Sequence, residues 1–201
     1  MQRVLVIGSS GLLGSHLVNA LKSKAEVVEA SFSRAAHKVD ISDPASLRQL
    51  FERVGTVDAI VCTAGMARFV PWANATDDDW THGVANKLMG QVNVARLGAP
   101  YVRDGGAITL TTGVLAQYPM PGGAIFTTAN AAVEGFVRAA AVEIGSRVRV
   151  NVVSPGWITE TLVAMGMDPT PGLPAAEAAE YFIRQIERGP AGSVLAAAKR
   201  S

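Results

Sequence analysis

The sequence predicts an α/β fold built on a parallel sheet. Three observations predict it. Short apolar runs alternate with longer stretches of helical spacing. The first apolar run leads into a glycine loop and then a helix, Gly8-Ser9-Ser10-Gly11-Leu12-Leu13-Gly14. The chain has 201 residues, 49% hydrophobic and 17% charged, enough for one full α/β domain over residues 1–201 with a sizeable core. Repeated strand–helix units close a parallel sheet with both faces covered.

Each element has its own signal. Arg3 to Ile7 reads as a short buried strand, and Leu12 to Leu21 has the spacing of a helix. Val27 to Ala30 and Val39 to Ile41 are the second and third strands. Asp43-Pro44 starts a helix that runs to Val54, because aspartate caps free amides and proline suits the first turn. Val57 to Cys62 is the fourth strand. Thr76-Asp77-Asp78-Asp79 has the form of a capping box and opens a long helix towards Ala99. Ala107 to Thr111 is a strand, and the alanine-rich stretch Thr128 to Ile144 a long helix. Arg147 to Val153 is a strand stopped by Pro155-Gly156. Pro174 to Glu187 is the last helix and Ser193 to Ala197 the last strand, making about seven strands in all. The segment from Met165 to Pro174 reads as a mobile loop over a site, and Met165, Met167 and Leu173 suggest a partly hydrophobic pocket.

The charge balance, 18 basic against 17 acidic residues, gives no nucleic-acid or membrane surface. No apolar stretch approaches the roughly 20 residues that a membrane span needs. Cys62 is the lone cysteine, which excludes an internal disulfide and fits a cytoplasmic location. His16, His37 and His82 have no metal-like spacing, and Asp77 to Asp79 read as a charged helix start, so no metal site is expected.

The glycine loop carries the clearest chemistry. Between a strand and a helix, Gly8, Gly11 and Gly14 permit a tight turn, close approach of a pyrophosphate and close helix–strand packing. The helix start, with Ser10, Leu12 and Leu13 around it, supplies free amides for the anion. A dinucleotide is therefore expected on a Rossmann-type, doubly wound sheet with helices on both faces. The segment after the second strand, Ala30-Ser31-Phe32-Ser33-Arg34, lacks the carboxylate that would take the ribose of NAD. Ser33 and Arg34, with His37 or Lys38, suit a 2′-phosphate instead, which favours NADP over NAD.

These features together resemble the short-chain dehydrogenase/reductase family, and the resemblance covers nearly the whole chain. Val57 to Gly65 is similar to the family's fourth-strand segment ending Asn-Asn-Ala-Gly, with Cys62 and Thr63 in place of the asparagines. Val39-Asp40-Ile41 resembles the family's Asp-Val pair beside adenine. Arg149 to Ile158 resembles its Pro-Gly segment beside the nicotinamide. The resemblance implies that Asp40, Ile41, Thr63, Ala64, Gly65, Lys87, Pro155, Gly156 and Ile158 join the glycine loop around the cofactor. It also implies a homodimer or homotetramer built on the two long helices.

The family's catalytic Asn, Ser, Tyr and Lys map onto Lys87, Thr112, Phe126 and Asn130. Asn86 is the neighbour of the first of these, and the register of the last is fixed by Ala131-Ala132-Val133-Glu134-Gly135. Phenylalanine exchanges no proton. Lysine and asparagine have in effect traded places, as in an atypical subgroup without the usual site. Thr112 keeps a hydroxyl for a carbonyl, Lys87 is placed to reach the ribose or water site, and Trp157 with Phe126 offers an apolar wall. The proton would come from water, Lys87 or Tyr118. Three readings stay open: an NADP-dependent oxidoreductase of a small carbonyl or alcohol, an NADP(H)-binding sensor or regulatory subunit, and a structural partner.

Overall fold

The computed structural model describes residues 2–199. Its strands are β1 (Arg3–Ile7), β2 (Glu26–Ser31), β3 (His37–Lys38), β4 (Val57–Cys62), β5 (Val102–Thr111), β6 (Val148–Pro155) and β7 (Val194–Ala197). They form a seven-stranded sheet in the order β3-β2-β1-β4-β5-β6-β7, with every pairing parallel. The helices are α1 (Leu12–Leu21), α2 (Pro44–Val54), α3 (Asp77–Gly83), α4 (Gly90–Gly98), α5 (Ala124–Ile144), α6 (Thr159–Ala164) and α7 (Ala175–Arg188).

The period of two along a strand decides which helix each residue meets. On β1, Leu5 and Ile7 join the core that holds Leu47, Phe51, Val94 and Val133 of α2, α4 and α5. Val4 and Val6 point the other way, into the core that holds Leu17 and Leu21 of α1 and Phe182 and Ile186 of α7. This is the doubly wound Rossmann-type fold. From β1 the chain builds outward through β2 and β3, then returns to place β4 on the other side. The strand order reverses between β1 and β4, and that crevice at their carboxyl ends is where such sheets take ligands.

Several elements differ from the sequence expectation, and β5 begins at Val102 rather than Ala107. The third strand pairs through His37 and Lys38, not Val39 to Ile41. Val39 donates one last bond to Ser31, and the chain then turns as the Asp40 carboxylate accepts from the Ser42 amide and hydroxyl at 2.9 and 2.6 Å. The helix expected from Asp77 to Ala99 is broken by a π-helical turn, Val84–Met89, between α3 and α4. α5 begins at Ala124 rather than Thr128, directly after Gly122 (φ +77) and Gly123. α6 lies inside a stretch given no element by the sequence.

The segment Met165 to Pro174 is anchored at its return end. Leu173 is buried, its amide donates to Trp157 O at 2.8 Å, and its carbonyl accepts from Thr159 at 3.0 Å. Glu160 on α6 accepts from the Ala175 amide at 3.0 Å, satisfying one free donor at the start of α7. No helix among the described residues is long and apolar enough to cross a membrane.

Candidate cofactor and active site

Two cavities lie side by side over the carboxyl ends of the strands and share Thr63 and Gly65. The first, about 320 Å³, is lined by Gly8, Ser10 and Gly11 of the glycine loop, by Ser31 and Phe32 after β2, by Val39 and Ile41, and by Ala64, Met66 and Asn86. Gly8 needs its positive φ of +90°, and a Cβ there would meet Ala64 N and Thr63 Oγ1, both at 2.7 Å. Gly14 lies against the Gly8 carbonyl, so α1 packs directly on the end of β1. Gly11 is the residue that caps α1, and no side chain fills the amides of that first turn. The Thr63 hydroxyl spans Ile7 O and Gly8 O at 3.2 and 3.3 Å and ties β4 to the loop.

These residues fit a dinucleotide. A loop of Gly8, Ser10 and Gly11 faces the cavity, the dipole of a ten-residue helix favours an anion there, and apolar Val39 and Ile41 offer a face for a base. Asp40 does not line this cavity, because its carboxylate is turned to Ser42. Ser33 and Arg34 are exposed just beyond β2, with the Arg34 amide donating to Ser31 Oγ at 3.0 Å. Leu12 is exposed at the helix start, whereas Leu13 reaches the second cavity.

That second cavity, about 310 Å³, gathers residues from the carboxyl ends of β4, β5 and β6. Lys87, Thr112, Phe126 and Asn130 all line it, as do Pro155, Gly156, Trp157 and Ile158. Sequence reasoning missed Phe69, whose ring packs tilted against Phe126 with centroids 4.5 Å apart. It also missed Thr161 of α6 on the same wall. Tyr118 is 72% exposed and lines neither cavity. Met165 and Met167 are exposed too, and Leu173 packs under α7 in the core, so the pocket is not the one these three suggested.

Lys87 and its neighbour Asn86 point to different cavities. Asn86 accepts from the Met66 amide at 2.7 Å and fixes the loop after β4 beside the first cavity. Lys87 is buried on the π-helical turn, and its Nζ donates to Thr111 O at 3.2 Å. Gly65, at φ +135°, leaves room for its stem, since a Cβ there would sit 3.1 Å from Lys87 Cδ. Gln91 already donates to Thr111 O at 3.2 Å and to Ala64 O at 2.7 Å, so Lys87 shares its acceptor. Among the described residues no carboxylate forms an ion pair with Lys87. Burial without a counter-ion lowers its pKa to about 8. The Cys62 thiol is itself buried, and burial pushes its pKa up to about 12, so it stays a thiol.

Thr112 departs from the role given to it. Its hydroxyl donates to Glu134 Oε1 of α5 at 3.2 Å, and Gln117 approaches the other carboxylate oxygen at 3.5 Å. The one hydrogen expected to face a carbonyl is therefore engaged, and the next residue, Gly113, has no side chain to replace it. Asn130 is 3% exposed, and its Oδ1 has no hydrogen-bond partner. A buried acceptor left unpaired costs about 1–3 kcal/mol, and a ligand donor is what would relieve it. No group of three or more metal-ligating side chains occurs among the described residues.

The enoyl-(acyl carrier protein) reductase family model of short-chain dehydrogenases matches residues 12–196. The chain belongs to the short-chain dehydrogenase/reductase family. It is 34% identical to the protein lin1944 from Listeria innocua, with a TM-score of 0.93 over 98% of this chain and 99% of that one. A small-chain dehydrogenase solved in complex with NADPH is 26% identical, with a TM-score of 0.86 over 98% of this chain and 96% of that one. Among curated relatives, the tetrahydroxynaphthalene reductase PfmaG of Pestalotiopsis fici is 30% identical over 77% of this chain and 60% of its own length. Hydroxynaphthalene reductase arp2 of Aspergillus fumigatus is 28% identical over 70% of this chain and 55% of its own length. The chain thus spans little more than half the length of the curated relatives it matches.

Proposed function

We propose that this chain is an NADP(H)-binding oxidoreductase of a small carbonyl or alcohol, working with a rearranged active site. The observation that carries this reading is the pair of cavities joined at Thr63 and Gly65, one built as a nucleotide cradle and the other lined by Lys87 and Asn130. In this reading Gly8, Ser10, Gly11 and the amides at Leu12, Leu13 and Gly14 hold the pyrophosphate. Ile41 lies on the adenine side. Ser33 and Arg34 hold the 2′-phosphate, and the absence of a carboxylate at the end of β2 favours NADP over NAD. Thr63, Ala64, Gly65, Lys87, Pro155, Gly156 and Ile158 surround the nicotinamide half. A bound nicotinamide supplies the hydride. Phe126, Phe69 and Trp157 exclude water from the apolar side of the pocket. Asn130 accepts a hydrogen bond from the substrate or ribose. The atypical character lies in Phe126 and Asn130 at the positions of the family's tyrosine and lysine.

A groove of about 310 Å³ between α4 and α5, lined by Ala95, Ala99, Phe136 and Ala140, suits pairing of the long helices in a homodimer or homotetramer. The second reading is a protein that holds NADP(H) without turnover. Phe126 and the engaged Thr112 hydroxyl favour it. Titrating cofactor-free protein with NADPH and NADH, then offering a carbonyl panel, tests both. NADPH binding tighter than NADH with turnover supports the oxidoreductase. Binding without turnover supports the second reading, and no binding of either dinucleotide refutes both.

A further inference from the structure

The second cavity holds one side chain able to give up a proton towards a ligand. Tyr118 is out of reach on the surface. Glu134 is turned to Thr112 and Gln117. Phe126 carries no exchangeable hydrogen. We propose that Lys87 is the acid–base group of this pocket, giving its Nζ proton to the oxygen of a carbonyl whose product hydroxyl then donates to Asn130 Oδ1. The inference rests on the oxidoreductase reading.

The geometry supports it at three points. Lys87 reaches the cavity wall from the π-helical turn, and such extra-residue turns are frequent at functional sites. Among the described residues it has one hydrogen-bond partner, a carbonyl that Gln91 also uses, which leaves two N–H groups for a ligand. Asn130 lines the same cavity and its buried Oδ1 has no partner among the described residues, so the cavity wall carries an unmet acceptor as well as a donor.

The chemistry balances. With a reduced nicotinamide dinucleotide bound, the carbonyl carbon would take a hydride from it. The C=O π pair moves onto oxygen, and the oxygen takes a proton from the ammonium. The dinucleotide is oxidised, the carbonyl becomes an alcohol, and the neutral amine regains a proton from water. A lysine that titrates near 8 holds enough ammonium at neutral pH and releases a proton far more easily than an ordinary one.

The titratable groups around Lys87 leave this behaviour to its own burial. Cys62 on β4 stays a thiol, and Glu134 on α5 faces Thr112. On α3, Asp79 is held by Thr76 and Arg68, and His82 does not line the cavity. Because the folded pKa is depressed, the ammonium is present below about 8 and lost above it. Carbonyl reduction should therefore fall as pH rises through about 8.

The test compares native protein, Lys87→Met and Lys87→Arg in three measurements: NADPH binding, NADPH oxidation with phenanthrenequinone and a panel of aromatic and aliphatic ketones, and ¹³C-lysine NMR titration of the cofactor-free protein. Loss of a general acid lowers kcat about 10²–10⁴-fold, with KM changed far less. Lys87→Arg should fail as well, since it keeps the charge but holds its proton. The Lys87 signal should titrate near 8, apart from the other lysines. Turnover that survives Lys87→Met or Lys87→Arg, or a Lys87 signal titrating at the ordinary lysine value, overturns the proposal and leaves the oxidoreductase reading standing. No turnover by the native protein on any ketone overturns both.

Discussion

Gly11→Ala and Gly14→Ala separate the two tasks of the glycine loop. At Gly14 a Cβ would press on the Gly8 carbonyl, with Gly8 C at 2.7 Å and Thr63 Oγ1 at 2.9 Å. Carbon atoms are comfortable at about 3.5 Å or more, and the Gly8 oxygen lies closer still, so the end of β1 must move by at least roughly 0.8 Å. The Gly8 carbonyl is backbone and cannot swing aside. Overpacking of this kind costs about 1–3 kcal/mol, and better helix propensity returns up to about 1 kcal/mol. A rigid backbone neighbour puts the cost at the upper end, so the net loss of about 2 kcal/mol lowers Tm by roughly 4–8 °C in a chain of this size.

Gly11 behaves differently. Its backbone is extended, at φ −79° and ψ 174°, which any residue adopts, and its nearest neighbour would be Gly8 O at 3.3 Å. Folding should tolerate the methyl, with Tm within about 2 °C of native. In the proposed cofactor reading, the methyl instead occupies the face offered to the pyrophosphate. If the same 1–3 kcal/mol falls on the ligand, NADPH affinity drops roughly 5- to 150-fold. Scanning calorimetry and NADPH titration read the two effects separately. Gly11→Ala that binds NADPH as tightly as native protein refutes the pyrophosphate seat. Gly14→Ala with a native Tm refutes the packing argument.

Three further outcomes follow from buried polar groups. Asn151→Leu removes the acceptor of the Thr109 hydroxyl, bonded at 2.8 Å between β5 and β6 with both residues fully buried, and should cost about 1–3 kcal/mol by denaturant unfolding. The Thr109→Val/Asn151→Leu double variant should lose less than the sum of the two singles, and strict additivity would contradict the pairing. The Asp79 carboxyl is held down to about 2 by the Thr76 hydroxyl, then the Thr76 amide and Arg68. Its folded pKa lies below the ordinary 3.8, so this stability is full above about pH 4 and lost as pH falls towards 2. Thr76→Ala should flatten that acid limb in an unfolding series and cost about 1 kcal/mol at neutral pH. Cys62 should resist iodoacetamide at pH 8 in native protein and react once denaturant exposes it, and rapid native labelling would contradict its burial.

Much of the fold was legible because local signals and tertiary demands agree. β1, β4 and α2 follow the apolar runs and the Asp43-Pro44 start closely, and the Asp43 side chain does accept from Ala45. The glycine spacing, read after a strand, located the loop that lines the first cavity. Element ends were less legible where a tertiary contact decides them. Val39 and Ile41 look like strand residues because they are apolar, yet their burial comes from facing the core and cavity beside the Asp40–Ser42 turn. α5 extends over Phe126 and Thr127, whose helix propensity is modest, because Gly122-Gly123 turns the chain and Ile125 is buried against α3.

The active-site half was harder to read for a physical reason. A sequence gives a residue's identity and its distance along the chain, while function depends on where a hydroxyl hydrogen or an amine points. Thr112 carried a hydroxyl as expected, but only the position of Glu134, twenty-two residues on, shows that its hydrogen is engaged. Lys87 carries the same lesson more strongly. An uninterrupted α-helix rotates each residue by about 100°, so one extra residue in a turn re-aims everything after it. The π-helical turn Val84–Met89 makes that change just where Lys87 must enter a buried slot beside Gly65. The helix thereby gives up regular hydrogen bonding and buries a cation without a counter-ion, two local costs in one place. Neither contributes to stability, which points to the cavity and its ligand as the reason the chain keeps them.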